Sequence, residues 1–122
     1  MMIRLLLVDD QPAVRMGLQM RLDLEPDIVV IGEAADGAAA LALALALQPD
    51  VVLMDIEMPI MDGLTAAAVL RAAVPRAAVV IMSLHDDPGT QGRAQASGAA
   101  AFVAKHVANE TLPQAIRQAA AH

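Results

Sequence analysis

Ile3-Arg4-Leu5-Leu6-Leu7-Val8-Asp9-Asp10 is an almost unbroken apolar run closed by two carboxylates. A strand with one face in water alternates apolar and polar residues, so a run without alternation reads as a strand covered on both faces, as in a parallel sheet between helix layers. The same pattern recurs along the chain. Val51 to Met54 leads into Asp55, Ala78 to Met82 into Ser83, and the weaker Ala101 to Ala104 into Lys105, the chain's one lysine, while Ile28 to Ile31 is a fifth β-branched run. Longer Ala-, Leu- and Arg-rich segments of helical composition separate these runs, giving five strand–helix units. Neighbouring parallel strands converge at their carboxyl ends, so three carboxylates, a hydroxyl and an ammonium would meet in one shallow pocket.

Local signals agree. Gln11-Pro12 suits a helix start, because the N–H that proline lacks has no partner in the first turn. Glu25-Pro26-Asp27, Gln48-Pro49-Asp50 and Val74-Pro75-Arg76 each place a proline between a helix and the following strand. Asn109 is the expected cap of the last helix, which leaves Pro113 just inside it at the loss of a hydrogen bond. Right-handed crossovers do not fix the strand order alone. Order 2-1-3-4-5 is expected because it sets strand 1 beside strand 3 and brings Asp10 and Asp55 to a ladder spacing of about 4.8 Å. The fold class is therefore α/β: a doubly wound, five-stranded parallel sheet with five helices, one domain over residues 1–122.

Composition narrows the function. Hydrophobic residues make up 57% of the chain with one aromatic, Phe102, so the interior must be filled by aliphatic side chains and the eight methionines, which adapt to irregular gaps. Without cysteine there is no disulfide, thiol nucleophile or thiolate metal site. The longest apolar run, Ala38 to Leu47, is too short to span a bilayer, and with no signal peptide the expected location is the cytoplasm. A net charge of −6 and seven scattered arginines argue against nucleic-acid contact by this segment.

Two carboxylates at ladder spacing repel by roughly 3 kcal/mol at an effective dielectric near 20. A raised pKa, the Lys105 ammonium or a bound cation would relieve them. All-oxygen ligands with open positions suit Mg²⁺, which commonly joins one or two carboxylates to a phosphate. Phosphoryl transfer to Asp55 is the chemistry such a pocket would favour.

Leu5-Leu6-Leu7-Val8-Asp9-Asp10-Gln11-Pro12, Val52-Leu53-Met54-Asp55-Ile56-Glu57-Met58-Pro59-Ile60-Met61-Asp62-Gly63, Ser83, and Gly98-Ala99 leading to Phe102 and Lys105 together resemble the receiver domain of bacterial two-component response regulators. Ile31-Gly32-Glu33-Ala34 and Ala115-Ile116-Arg117 resemble its NarL/LuxR-type subfamily. The resemblance implies a flavodoxin-like fold and a signalling domain, not an enzyme, in which Asp55 accepts phosphate from a sensor histidine kinase. It implies Mg²⁺ held by Asp10, Asp55 and the backbone carbonyl of Glu57, with Asp9 acting directly or through bound water. Ser83 would hydrogen-bond one phosphoryl oxygen and Lys105 would pair with another. Phe102 would be the switch aromatic of an output face built from helix 4, strand 5 and helix 5. It further implies a DNA-binding domain beyond this segment and association of two copies.

Each residue alone has a plainer explanation. Asp9-Asp10 resembles a solvated turn, Asp55 a loop start, Ser83 a strand end, Lys105 a surface charge and Phe102 a core filler. Glu33, Asp36, Asp50, Asp86 and Asp87 suit solvated loops and caps. Joint occurrence at strand ends favours the site. Against the subfamily, Leu84 is bulky where a small residue is usual, His106 replaces a frequent proline, and Gln11 replaces a frequent histidine. Glu57 and His85 stand where the family tunes dephosphorylation. Gln91, Gly92 and Gln95 weaken helix 4, which is expected to be short or mobile. Ala38, Ala42, Leu45 and Ala46 are expected on an apolar outer face of helix 2. The alternative function is a binding scaffold that signals without phosphate. A dehalogenase-type phosphatase would need a second Asp where Glu57 stands, and a flavin binder would need a phosphate loop after strand 1.

Overall fold

The computed structural model describes residues 2–58 and 61–121, apart from the side chains of Val107 and Asn109. Its elements alternate throughout: β1 Ile3–Val8, α1 Pro12–Leu22, β2 Ile28–Ala34, α2 Gly37–Leu47, β3 Val51–Asp55, α3 Gly63–Ala73, β4 Ala78–Ser83, α4 Pro88–Ala96, β5 Ala101–Ala104, a 3₁₀ turn Lys105–Val107 and α5 Ala108–Ala120. The strands form one parallel sheet in the expected order, β2-β1-β3-β4-β5. No helix of the described residues is long and apolar enough to cross a membrane.

Successive side chains point to opposite faces of a strand, and both faces of this sheet are buried. Leu6, Val8, Val52, Met54, Val79 and Ile81 pack with Ala40 and Ala44 of α2 and Ala66, Ala67 and Leu70 of α3. On the other face Leu5, Leu7, Leu53, Val80 and Met82 meet Leu22 of α1 and Leu112, Ile116 and Ala119 of α5. Methionine serves the interior only in part: Met54, Met58 and Met82 are buried, whereas Met16 and Met20 are each 66% exposed.

Three expectations change. Strand β2 runs on to Ala34, because its ladder with β1 skips Ile31 at a bulge and then resumes from Gly32. Helix α5 starts at Ala108, so Asn109 lies within its first turn rather than before it; the Asn109 side chain lies outside the described residues. The register pairs Val8 with Met54, so one step further Asp9, not Asp10, is level with Asp55.

Two arginines fasten distant segments. Arg4 donates to the Leu47 and Gln48 carbonyls, each at 2.7 Å, where the carboxyl end of α2 presents unpaired, partly negative oxygens. Arg117 grips both Asp27 oxygens, at 2.8 and 2.9 Å, and also donates to Glu25. Those bonds hold Glu25 and Asp27 below the usual carboxylate range, Glu25 through Arg21 and Arg117 and Asp27 through Arg117.

Helix α4 is short, with nine residues, and buries only Thr90 and Ala94. Its start is well made: Asp87 accepts the Thr90 N–H at 3.0 Å and the Thr90 hydroxyl at 2.8 Å. Gly98, at φ +93°, turns the chain out of it in the left-handed region that suits glycine. Helix α2 exposes Ala38, Ala42, Leu45 and Ala46 together, as its sequence predicts. Gly92 lies mid-helix in α4 with open space where a Cβ would go. Gly92→Ala should therefore stabilise the domain by about 1 kcal/mol, and wild-type α4 amides should exchange with deuterium faster than those of α5. Chemical denaturation and hydrogen exchange check the two outcomes.

Candidate functional site

Each site residue stands at or just past the carboxyl end of a strand. β1 ends at Val8 and releases Asp9 and Asp10, β3 ends in Asp55, β4 ends in Ser83, and Lys105 follows β5. The adjacency of β1, β3, β4 and β5 in the sheet sets these ends side by side.

Carboxylate oxygens of Asp9, Asp10 and Asp55 all lie within 4.8 Å of one another. Asp9 is fully buried and Asp55 is 2% exposed, while Asp10 is half-buried. Lys105 Nζ sits 3.0 Å from Asp55 Oδ2 and 3.7 Å from Asp9 Oδ2. One ammonium thus faces a trio of acids. Burial pushes the Asp55 carboxyl up to about 7, with the neighbouring Glu57 carboxylate and then the Asp9 charge adding to the effect, while Lys105 opposes them. Burial works against the Lys105 ammonium, but Asp55, Asp9 and Glu57 outweigh it and its pKa is raised.

The loops are fixed by short backbone bonds. The Gln11 N–H donates to Asp9 Oδ1 at 2.9 Å, and the Glu57 N–H to Asp55 Oδ1 at 3.3 Å. Asp9 Oδ2 and Asp10 Oδ1 are buried without a hydrogen-bond partner. Orphaned buried acceptors call for an explanation, and in an all-oxygen cluster a hard divalent cation supplies one. The trio is therefore compatible with a bound metal ion.

Ser83 is fully buried at the same edge. Its hydroxyl donates to Glu57 Oε1 at 2.7 Å and accepts the His85 N–H at 3.0 Å. Leu84 follows it with its side chain 66% exposed, in solvent rather than in the core. Phe102 is half-buried, packs at the margin of the core, and lines a cavity of about 270 Å³ with Gln91, Ala94, Gln95 and Ala99. His106 is joined through a trans peptide and stands 3.7 Å from Asp86, a contact between the loops after β4 and β5.

Asp36 and Asp87 are caps, as expected, but other acids do more than face water. Asp50 accepts the Arg4 N–H at 2.9 Å and pairs with Arg76, and Glu33 pairs with Arg15. The sequence reading gave no role to Gly63 or Asp62. A Cβ on Gly63 would lie 2.3 Å from the Asp55 carbonyl oxygen, so the start of α3 can pass beneath the site only as glycine. Asp62 caps the same helix by accepting the Thr65 N–H at 2.8 Å. The Asp62-Gly63 pair before an apolar helical segment was the available signal. The bond from Ser83 to the Glu57 side chain had none, because it joins residues 26 apart through rotamers alone.

A family model described as the response regulator receiver domain matches residues 5–117. The transcriptional regulatory protein LiaR of Bacillus subtilis is 42% identical over 119 residues, 97% of this chain and 56% of that protein. The nitrate/nitrite response regulator NarL of Escherichia coli is 36% identical over 117 residues, 96% of this chain and 54% of that one. The chain spans about half the length of these curated relatives. Among solved structures, the signal receiver domain of NarL from Mycobacterium tuberculosis superposes with a TM-score of 0.92 at 38% identity, covering 98% of this chain and 97% of that one. A LuxR-family two-component response regulator from Aurantimonas does so with a TM-score of 0.94 at 32% identity, covering 99% and 86%. Sequence, sheet order and the acidic strand-end pocket thus agree, and the chain belongs to the response regulator receiver-domain family, in its NarL/LuxR branch.

Proposed function

We propose that this domain is a phosphorylation-controlled signalling switch in which Asp55 is the phosphoacceptor. The observation that carries it is the buried carboxylate of Asp55, paired with Lys105 at 3.0 Å beside two acids that each keep one buried oxygen without a hydrogen-bond partner. The donor is the phosphohistidine of a sensor histidine kinase. The N–P bond breaks with its electron pair left on the imidazole, and an Asp55 carboxylate oxygen forms the new O–P bond. Asp9, Asp10, Asp55 and the backbone carbonyl of Glu57 would hold Mg²⁺, which when bound supplies positive charge against the phosphoryl oxygens. Lys105 holds a second positive charge at the acceptor, and Ser83 offers a hydroxyl to a phosphoryl oxygen. Burial first, and then the crowding of like charges, raises the Asp55 pKa to about 7, so these cations also favour its nucleophilic, ionised form.

Phosphorylation would add a dianion beside Ser83 at the end of β4, and Phe102, half-buried under α4, is proposed to follow it. The output is proposed to run through the face of α4, β5 and α5 to a DNA-binding domain of the longer protein, in the cytoplasm, with pairing of two copies as one route. The acidic receiver segment itself makes no nucleic-acid contact. It is a switch that assists its own phosphorylation and loss of phosphate, not an enzyme turning over an external substrate. The test is incubation with Mg²⁺ and acetyl phosphate. Wild type should gain one phosphoryl group by intact mass and Asp55→Asn none; turnover of added phosphate ester without an adduct would mark a phosphatase, and neither event a scaffold.

A second outcome follows from linkage. The folded pKa of Asp55, about 7, lies above its unfolded value. Its contribution to stability is therefore fully present below the unfolded pKa and is lost as pH rises through the folded one. At pH 8 without divalent cation, Asp55→Asn should be more stable than wild type by about 2 kcal/mol, and the difference should shrink towards pH 4. Millimolar Mg²⁺ should narrow the gap at pH 8 by stabilising wild type more. Thermal melts across pH, with and without Mg²⁺, read all three.

A further inference from the structure

The phosphoacceptor chemistry does not require the Glu57 side chain, yet the pocket holds it. Glu57 lies two residues past Asp55 on the loop after β3 and is exposed overall, but its Oε1 accepts the hydroxyl of the buried Ser83 at 2.7 Å. Ser83 Oγ in turn accepts the His85 N–H at 3.0 Å. A serine hydroxyl has one hydrogen to give. Ser83 therefore donates either to Glu57 or to a phosphoryl oxygen on Asp55, never to both.

We propose that Glu57 is a positioning residue: a latch that holds the Ser83 hydroxyl in its resting orientation and that a phosphoryl dianion on Asp55 releases. This rests on the reading of Asp55 as phosphoacceptor. The two ends of the latch differ in a way that suits release. Glu57 leaves into water without opening the core, because its side chain is on the surface. Ser83 stays, because it ends a buried central strand and remains tied to the His85 amide. The Glu57 carboxylate also lies close enough to Asp55 to act on it directly. A dianion arriving there repels Glu57 and attracts the freed hydroxyl, so one charge change breaks the old bond and makes the new one. Until then the latch ties the loop after β3 to the end of β4, and it acts as a competitor that the phosphoryl group must displace.

The experiment titrates the purified domain with beryllofluoride in Mg²⁺, following the backbone amide resonances of residues 83–85, in wild type, Asp55→Asn, Glu57→Ala, Ser83→Ala and the Glu57→Ala/Ser83→Ala double variant. Glu57→Ala should bind about tenfold more tightly than wild type, because no bond to a charged acceptor then has to be given up. In the Ser83→Ala background the same substitution should gain at least threefold less, and the free Glu57→Ala protein should show the residue 83–85 amides shifted towards their beryllofluoride-bound positions. No gain, or a gain of equal size in both backgrounds, overturns the latch, since Glu57 would then act by charge alone or not at all. Wild type forming no adduct, or Asp55→Asn forming one, overturns the phosphoacceptor reading itself and the latch with it.

Discussion

The contact between Lys105 Nζ and Asp55 Oδ2 is what makes the rest of the pocket tolerable. Three carboxylates held within 4.8 Å, one wholly buried and another nearly so, are a repulsive arrangement that one ammonium offsets only in part. Burial, with the neighbouring Glu57 and Asp9 carboxylates adding to it, leaves the Asp55 pKa raised despite that ammonium. The cluster persists because it is anchored from below: β1 and β3 are rigid, buried and adjacent, and Gly63 lets α3 pass directly under Asp55. Folding energy from the core thus holds charges in an arrangement they would not choose in water. Such stored electrostatic strain is common where a protein must bind an ion or accept a charged group.

The same constraint gives the site its direction. Every group that relieves the trio is a cation or a proton, and every group that adds to it is an anion. The phosphoryl group proposed for Asp55 would bring negative charge into this acidic cluster, and its accommodation would have to involve the parts nearby that are least held. Those parts are the exposed Glu57 side chain, the loop after β4 and the poorly buried α4 beyond it. Floor and rim are therefore different regions of one small domain, with burial concentrated under the acids and little of it in α4.

The chain disclosed its floor more readily than its rim. Uninterrupted apolar runs at β1, β3 and β4 and the polar residue closing each one were enough to infer sheet order and the pocket, because burial on both faces leaves a pattern in composition. The bare outer face of α2 was equally visible, since four small or apolar side chains recur at helical spacing. Ile31, skipped in the ladder between β1 and β2, left no mark, because a bulge changes pairing without changing residue type. Asp9 rather than Asp10 being level with Asp55 depends on register, which composition does not encode. The Ser83–Glu57 bond is a matter of rotamers at a strand end and on a loop. What was hidden is what depends on a single residue's placement rather than on a repeating pattern.

Arg117 carries a consequence for how the protein is made. Its guanidinium holds Asp27 and Glu25, which precede it by 90 and 92 residues, and α5 supplies Leu112, Ile116 and Ala119 to one side of the sheet. A nascent chain emerging from the ribosome can assemble β1 to β4 early, yet that face of the sheet stays uncovered, and Lys105 absent, until nearly the whole segment has been translated. The acidic trio therefore lacks its Lys105 counter-charge until β5 has been made, and that face of the sheet is closed only when α5 docks.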